Sequence, residues 1–455
     1  MREPPNRGRS SKKYTFKRLL DTRLSRRVLL ASSLGAAGTL AIGKIAQGQS
    51  PHQRIDTTKT PGFPAGNVGS RTPFEQPQRI QVGQHTWFAP IDRFYGNITP
   101  PDLHFTVNHA GIPEVAPNTY ELMIHGLVNK PKIFTLADLK RYPSVSRTYF
   151  LECSGNSANG AFPPMPTDSA QNVHGLTGTS EWTGVPLSTL LREVGVDKKA
   201  EWLLAESYDA AVFARSIPTY KAWNDILVAY GQNGEALRPE QGYPIRLIVP
   251  GWEGSVNIKW LRRIEVSTEA FMTREETSKY TDVMPDGTVS QFTFPMEAKS
   301  IITWPSGGHQ IPSAGFWEVN GIAWSGVGKI MKVEISQNGG RTWEEAKLQQ
   351  PVIPISHTRY RFPWRWDGKP AILMSRATDD NGNVQPSYDA LMESRGIHAL
   401  YHYNGIQAWK VESDGSVVSI RVSKSKTQSL PHVPSASSGS AGCPGCIVRS
   451  GRFPT

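Results

Sequence analysis

The rhythm of apolar and polar positions changes twice along the chain. Tyr120-Glu-Leu-Met-Ile-His-Gly126 alternates like a half-buried strand, Thr135-Leu-Ala-Asp-Leu-Lys140 predicts a short helix capped by its threonine, and Arg147 to Cys153 predicts a further strand. Leu187 to Val194 has a helical period, and the apolar run Tyr243 to Val249 predicts a buried strand. To about Val266 this mixture predicts an α+β domain. After a polar connection, Met272 to Met296, the rhythm becomes one of short strands: Phe316 to Trp324, Ile330 to Ser336, Thr342-Trp343, Arg359 to Trp366 and Ala371 to Ala377. Asn338-Gly339-Gly340 reads as a turn, no helix is evident, and an immunoglobulin-like β-sandwich is predicted.

The ends differ from this body. Residues 49–100 are rich in Pro, Gly, Asn and Thr and predict an extended arm over the surface; 423–455 turn to Ser, Pro, Gly and Lys and predict a disordered tail. The expected organisation is therefore a leader at 1–48, the arm at 49–100, an α+β domain at 101–270, a linker at 271–297, the sandwich at 298–422 and the tail at 423–455. A chain of 455 residues is too long for one ordinary core and long enough to enclose a cofactor.

Charge invites a nucleic-acid reading that its distribution removes. Of the net +11, residues 1–30 contribute +8 and 423–455 contribute +4, so the folded body is near neutral. Ser25-Arg26-Arg27-Val28-Leu29-Leu30 opens a mildly apolar stretch to Ile42, too short for a membrane span and suited to a twin-arginine export signal. The mature protein is thus expected in the periplasm, without a membrane span. That compartment permits disulfides, yet the chain has only Cys153, Cys443 and Cys446, the last two as a Cys-Pro-Gly-Cys in the tail.

Candidate chemistry begins with charges in apolar surroundings. Arg246 lies within Tyr243-Pro-Ile-Arg-Leu-Ile-Val249 and needs either an internal carboxylate or a bound anion such as a phosphate. Lys259, between Ile258 and Trp260, follows the loop Pro250-Gly-Trp-Glu-Gly254, which lets backbone approach a ligand. Cys153 ends a strand and precedes a loop of small residues, Ser154-Gly-Asn-Ser-Ala-Asn-Gly160. Read from the residues alone it is a small buried hydrophobe, a nucleophile, or the one thiolate on a metal whose other ligands come from a cofactor; no His or Cys pairs near it supply a zinc site.

Tyr149-Phe-Leu-Glu-Cys-Ser-Gly-Asn156, Glu181-Trp-Thr-Gly-Val-Pro-Leu187, Asp225 to Tyr230 with Asn233-Gly234, Gly242 to Gly251 and Asn257-Ile-Lys-Trp-Leu261 occur in the order of the sulfite oxidase family of molybdenum enzymes, which the chain resembles over about 100–420. More narrowly, Leu237 to Pro244, Met272 to Tyr280 and Tyr401 to Lys410 resemble the molybdenum subunit of the bacterial thiosulfate-oxidising Sox system. The resemblance implies a molybdopterin-binding α+β domain followed by an immunoglobulin-like dimerisation domain. It implies a molybdenum-molybdopterin cofactor, no haem in this chain, and Cys153 as the single protein thiolate on the metal. Phe105, Asn108, His109, Asp209, Arg246, Asn257, Ile258 and Lys259 fall at pterin-contact positions, and Tyr230 matches a tyrosine beside the substrate.

The resemblance also implies a c-type cytochrome as partner or acceptor, a possible sulfur-carrier protein, a dimer or heterotetramer, and oxidation of sulfane sulfur with oxygen from water. Val107 stands at, and Ala158 near, positions where typical family members carry arginines that help to hold sulfite, and Gln241 stands where they carry a histidine. Their loss weakens a site for a small free dianion. Alternatives at this point are a sulfite:cytochrome c dehydrogenase acting on free sulfite and an exported binding protein without cofactor.

Overall fold

The computed structural model describes residues 64–398 and 400–423. The expected leader, and the tail from 424 with Cys443 and Cys446, lie outside the described residues. Residues 64–70 contain no helix or strand, and the structure below concerns Arg71 onward, which forms one compact unit.

Two five-stranded sheets carry the first half. In one, the order is Glu235–Ala236, Leu227–Gln232, Thr177–Pro186 and Val145–Glu152, with Arg246–Ile248 also pairing Leu227–Gln232. In the other, Lys132–Thr135, Glu121–Gly126, Leu261–Ser267, Trp202–Ser207 and Ala214–Pro218 lie side by side, parallel only between Glu121–Gly126 and Leu261–Ser267. Thr135 caps the helix Leu136–Leu139 by accepting from Asp138 N at 3.1 Å, while Asp138 accepts from Thr135 N. The helix Leu187–Val194 buries Leu187, Leu190, Leu191 and Val194 and ends at Gly195, whose φ of +65° suits a residue without Cβ.

The second half is a sandwich. Lys299–Trp304, Gly315–Trp324, Thr358–Trp366 and Lys347–Leu348 form one sheet; Glu344–Glu345, Ile330–Ser336, Ala371–Asp379, Ala408–Val411 and Val417–Ile420 form the other. Along Thr358–Trp366 every second side chain from Tyr360 is buried, the alternation of a strand with one wet face.

Four expectations change. Thr342-Trp343 precedes its strand, which starts at Glu344. The sandwich does contain a helix, Tyr388–Arg395, which buries only Leu391 and so lacks the apolar stripe that betrays a helix. The arm is surface chain only at first: Ile80–Val82, Thr86–Phe88 and Thr106–Val107 form a small sheet, and Ala89 and Ile91 are buried beyond it. Residues 271–297 are no free linker, because Glu275, Glu276, Tyr280, Phe294 and Met296 are buried against the body.

A backbone seam joins the halves. Met296 N donates to Gly251 O at 2.9 Å and Gly326 N donates to Met296 O at 2.8 Å. Gly251, at φ +76°, has no room for a side chain: a Cβ would meet Gly326 O at 1.9 Å. Gly234 has a similar φ of +80° with nothing within 4 Å. Gly251→Ala is expected to cost about 2–4 kcal/mol and Gly234→Ala about 1 kcal/mol. Thermal midpoints of the two variants check this; equal losses would mean that backbone strain alone, without the seam, sets both.

Candidate functional site

The strand Val145–Glu152 runs from exposed Ser146 and Arg147 to wholly buried Glu152 and delivers Cys153 into the core, 8% exposed. Cys153 N donates to Leu176 O, and Asn156 N donates to Cys153 O, closing a tight turn. Cys153 is a free thiol on the wall of a cleft of about 690 Å³. Among the described residues no group of three or more His, Cys, Asp or Glu is placed to hold a metal ion. A metal here would bring most of its ligands with it.

Of the residues singled out in the sequence, the cleft brings together Phe105, His109, Cys153, Asp209, Arg246, Asn257, Ile258 and Lys259. Asn108 stands behind them, buried, its side-chain oxygen accepting from Lys259 Nζ. Asn257 holds the loop: its Oδ1 accepts from Val249 N at 2.6 Å and its Nδ2 donates to Glu253 O at 2.9 Å. Asp209 accepts from Ser207 Oγ and from Phe213 N, and Phe213 stacks on His109 with centroids 4.6 Å apart.

The two cations answer the question their sequence posed. Arg246, 4% exposed, donates from Nη1 to Gln241 O at 3.0 Å and from Nη2 to Asn257 O at 3.2 Å, while its Nε has no partner among the described residues. No carboxylate pairs with it, and burial pushes its pKa down to about 9. Lys259 Nζ donates to Val107 O at 2.9 Å and Glu240 O at 3.1 Å; burial first, then the nearby Arg246 charge, pushes it down to about 7. Of the two partners open to Arg246, an internal carboxylate is absent among the described residues and a bound anion remains; Lys259 hydrogen-bonds neutral oxygens, with Asp209 and Glu240 near enough to act on its charge. Gly254 lets its loop pack directly against the backbone that carries the thiol, since a Cβ there would lie 2.8 Å from Glu152 O and 3.2 Å from Cys153 Cα.

Tyr230 is not brought to this cleft. Leu227 and Ala229 pack in the cluster that contains Cys153, and Val228 packs in the other; alternation at the irregularity between Ala229 and Gly231 sends Tyr230 with Val228, where Lys140 Nζ lies 5.9 Å from its ring. Tyr280 lines the cleft instead, its hydroxyl 3.2 Å from His109 Nε2. Sequence reasoning quoted the stretch that holds Tyr280 without assigning it a role, and it missed His104, a cleft residue that burial holds neutral at about 3.

Arg246 is the one arginine among the residues that line the cleft. Arg215, directly under the Tyr280 ring at 4.8 Å, donates to Glu253 Oε1 and Glu276 Oε1, both at 2.7 Å, and to Ser255 Oγ. Burial alone would lower its pKa; the two carboxylates overcome that and hold it above the ordinary arginine value. Val107 and Gln241 line the cleft, Gln241 donating to Phe105 O at 2.9 Å, and Ala158 is buried in the turn after Cys153.

Comparison with known proteins agrees with this geometry. The family model described as "Oxidoreductase molybdopterin binding domain" matches residues 109–275, and "Mo-co oxidoreductase dimerisation domain" matches 290–408. Sulfite oxidase of Gallus gallus is 30% identical over 369 residues, 74% of this chain and 76% of that protein. The chain spans 64% of the mitochondrial sulfite oxidase of Rattus norvegicus, at 28% identity over 73% of this chain, and 38% of a nitrate reductase [NADH] of Solanum lycopersicum, at 30% identity over 67%. The crystal structure of the sulfane dehydrogenase SoxCD from Paracoccus pantotrophus is similar with a TM-score of 0.79 and 40% identity, covering 81% of this chain and 98% of that one. The exported binding protein without cofactor is thereby set aside. Site, fold and relatives converge: the chain belongs to the sulfite oxidase family of molybdenum-molybdopterin oxidoreductases.

Proposed function

We propose that the chain is the catalytic component of a periplasmic, Sox-type dehydrogenase of sulfane sulfur, with Cys153 as the protein's thiolate on molybdenum. Its electrons would pass to a c-type cytochrome, and its second domain would pair two copies. The reading is supported by a thiol, the one among the described residues, on the wall of a cleft that also holds Arg246 and Lys259.

The residues fit molybdopterin. Arg246, buried with no carboxylate partner among the described residues, and the part-buried Lys259 suit the pterin's phosphate, and a charge-assisted contact would complete the vacant hydrogen-bonding capacity of Arg246 Nε. Asn257 and Ile258 line the cleft through the loop that Asn257 closes, and Phe105 and His109 line it too, their segment tied to Arg246 through Gln241 and to Lys259 through Val107 O. When bound, the molybdenum centre supplies two-electron oxygen-atom transfer to sulfur. The protein's share is to hold the thiol, to keep the cleft apolar around it through Leu151 and Phe213, and to place the Tyr280 hydroxyl at the cleft wall. A small dianion such as sulfite would find Arg215 already neutralised by Glu253 and Glu276. Sulfur carried on a larger, less charged partner loses little by that, which favours the Sox-type reading. Export rests on Arg26-Arg27 and the stretch after it.

Three outcomes are expected. In Cys153→Ala, folded protein keeps the pterin-held metal but loses sulfur-oxidising activity by more than about 100-fold, with the metal's electron paramagnetic resonance spectrum changed by loss of the thiolate. In cofactor-free protein, sulfate affinity falls about tenfold from pH 6 to 8 as Lys259, near 7, gives up its proton, and Lys259→Met flattens that dependence in calorimetric titration. The sign follows from the depressed value, because the anion-binding ammonium is present below pH 7 and lost above it. In steady-state assays with cytochrome c, a carrier-bound persulfide is expected to give a higher kcat/KM than sulfite by at least about tenfold; a preference for sulfite would favour a sulfite dehydrogenase instead.

A further inference from the structure

The loop that carries the thiol is held from the other half of the molecule. Lys299 Nζ donates to Glu152 Oε1, immediately before Cys153, and reaches Ser157 Oγ at 3.4 Å, where the turn closes at φ +69°. Lys299 therefore spans both ends of the cysteine loop. Trp324 Nε1 donates to Glu152 Oε2 at 2.7 Å, and Trp324 is the cross-strand partner of Lys299, so the ladder fixes the spacing of the two donors. From the first half, Asn156 Nδ2 donates to Glu152 Oε1 at 2.9 Å while its Oδ1 accepts from Leu176 N at 3.1 Å. Glu152 and Trp324 have no solvent exposure and Lys299 has 1%.

Two more contacts reach the same loop from the far end of the sandwich. His402 N donates to Ser154 O at 2.8 Å, and Arg421 Nη2 donates to Gly160 O at 3.1 Å. The thiol is thus bounded before, within and after its turn by residues beyond 298.

We propose that Glu152, Lys299 and Trp324 are positioning residues for Cys153, which makes the β-sandwich a working part of the metal centre as well as a dimerisation module. A carboxylate that accepts from an ammonium, an indole and an amide has one arrangement open to it, and it lies one peptide from the thiol. A metal–thiolate bond needs its donor held within a few tenths of an ångström, so a fixed neighbour is worth most at that position. The inference rests on Cys153 being the thiolate ligand. Adhesion between the two halves is the competing role, and it would alter stability without altering the metal.

The test uses the full-length holoenzyme and reads molybdenum per folded chain, the electron paramagnetic resonance spectrum of the partly reduced metal, kcat and KM, and thermal midpoint. Lys299→Met is expected to shift the metal's spectrum and to lower kcat at least ~tenfold with KM little changed. Adding Glu152→Gln to it leaves no lone buried charge but keeps an acceptor oxygen for only one of Asn156 and Trp324, so spectrum and kcat should return only in part. Trp324→Phe, which removes only the N–H, should keep the metal but shift its spectrum and lower kcat about tenfold with KM unchanged. Wild-type metal content and spectrum in all three, with only the midpoint lowered, would leave adhesion as the role and overturn the proposal. A wild-type metal spectrum in Cys153→Ala would instead bring down the ligand assignment itself, and the positioning role with it.

Discussion

A guanidinium buried without a carboxylate is the constraint around which the site is arranged. Arg246 lies in a strand enclosed on both faces, and removing such a charge from water costs several kcal/mol unless something of opposite sign answers it. Carbonyl oxygens of Gln241 and Asn257 orient the group without neutralising it. Lys259 adds a second cation lining the same cleft, its proton affinity lowered by burial first and then by the Arg246 charge, against a smaller opposing pull from Asp209 and Glu240. The fold is complete in charge once an anionic cofactor is seated, so the strand, the Pro250 to Gly254 loop and the glycine at 254 can be understood as one device for admitting it.

The molecule resolves charge differently on the other side of the thiol. Arg215 is saturated by Glu253 and Glu276, with His402 on the remaining Glu253 oxygen at 3.2 Å. Glu152 is answered by Lys299. Each of these networks is closed, buried and shared between elements far apart in sequence, which makes them rigid surroundings and poor binders of a second anion. An open pair of cations at the cleft and closed ion-pair networks elsewhere in the core follow from the same set of charged residues.

Much of the cofactor side was legible in the sequence because charge in an apolar strand is conspicuous: Arg246, Lys259 and Cys153 all break a hydrophobic pattern. The α+β body and the sandwich were legible because period 2 and period 3.6 differ. The substrate side was not. Tyr230 sits in a recognisable stretch, but which face of its strand meets the cleft depends on pairing with Thr177–Pro186 and on an irregularity that no local pattern reveals. Tyr280 lies in a polar stretch that looks like linker and becomes buried only by tertiary packing. The Glu152 to Lys299 pair joins residues 147 apart, and a lone Glu beside a cysteine carries no hint of so distant a partner. The helix Tyr388–Arg395 escaped because its contact with the core is a single leucine.

The central claim is that this chain folds around one molybdopterin whose metal takes its only protein thiolate from Cys153. Protein made in a host that synthesises molybdopterin, purified folded and assayed for molybdenum and for pterin released on denaturation, tests it most directly. About one of each per chain is the result the account predicts. Folded protein with neither, from a host that loads other molybdopterin enzymes, would contradict it.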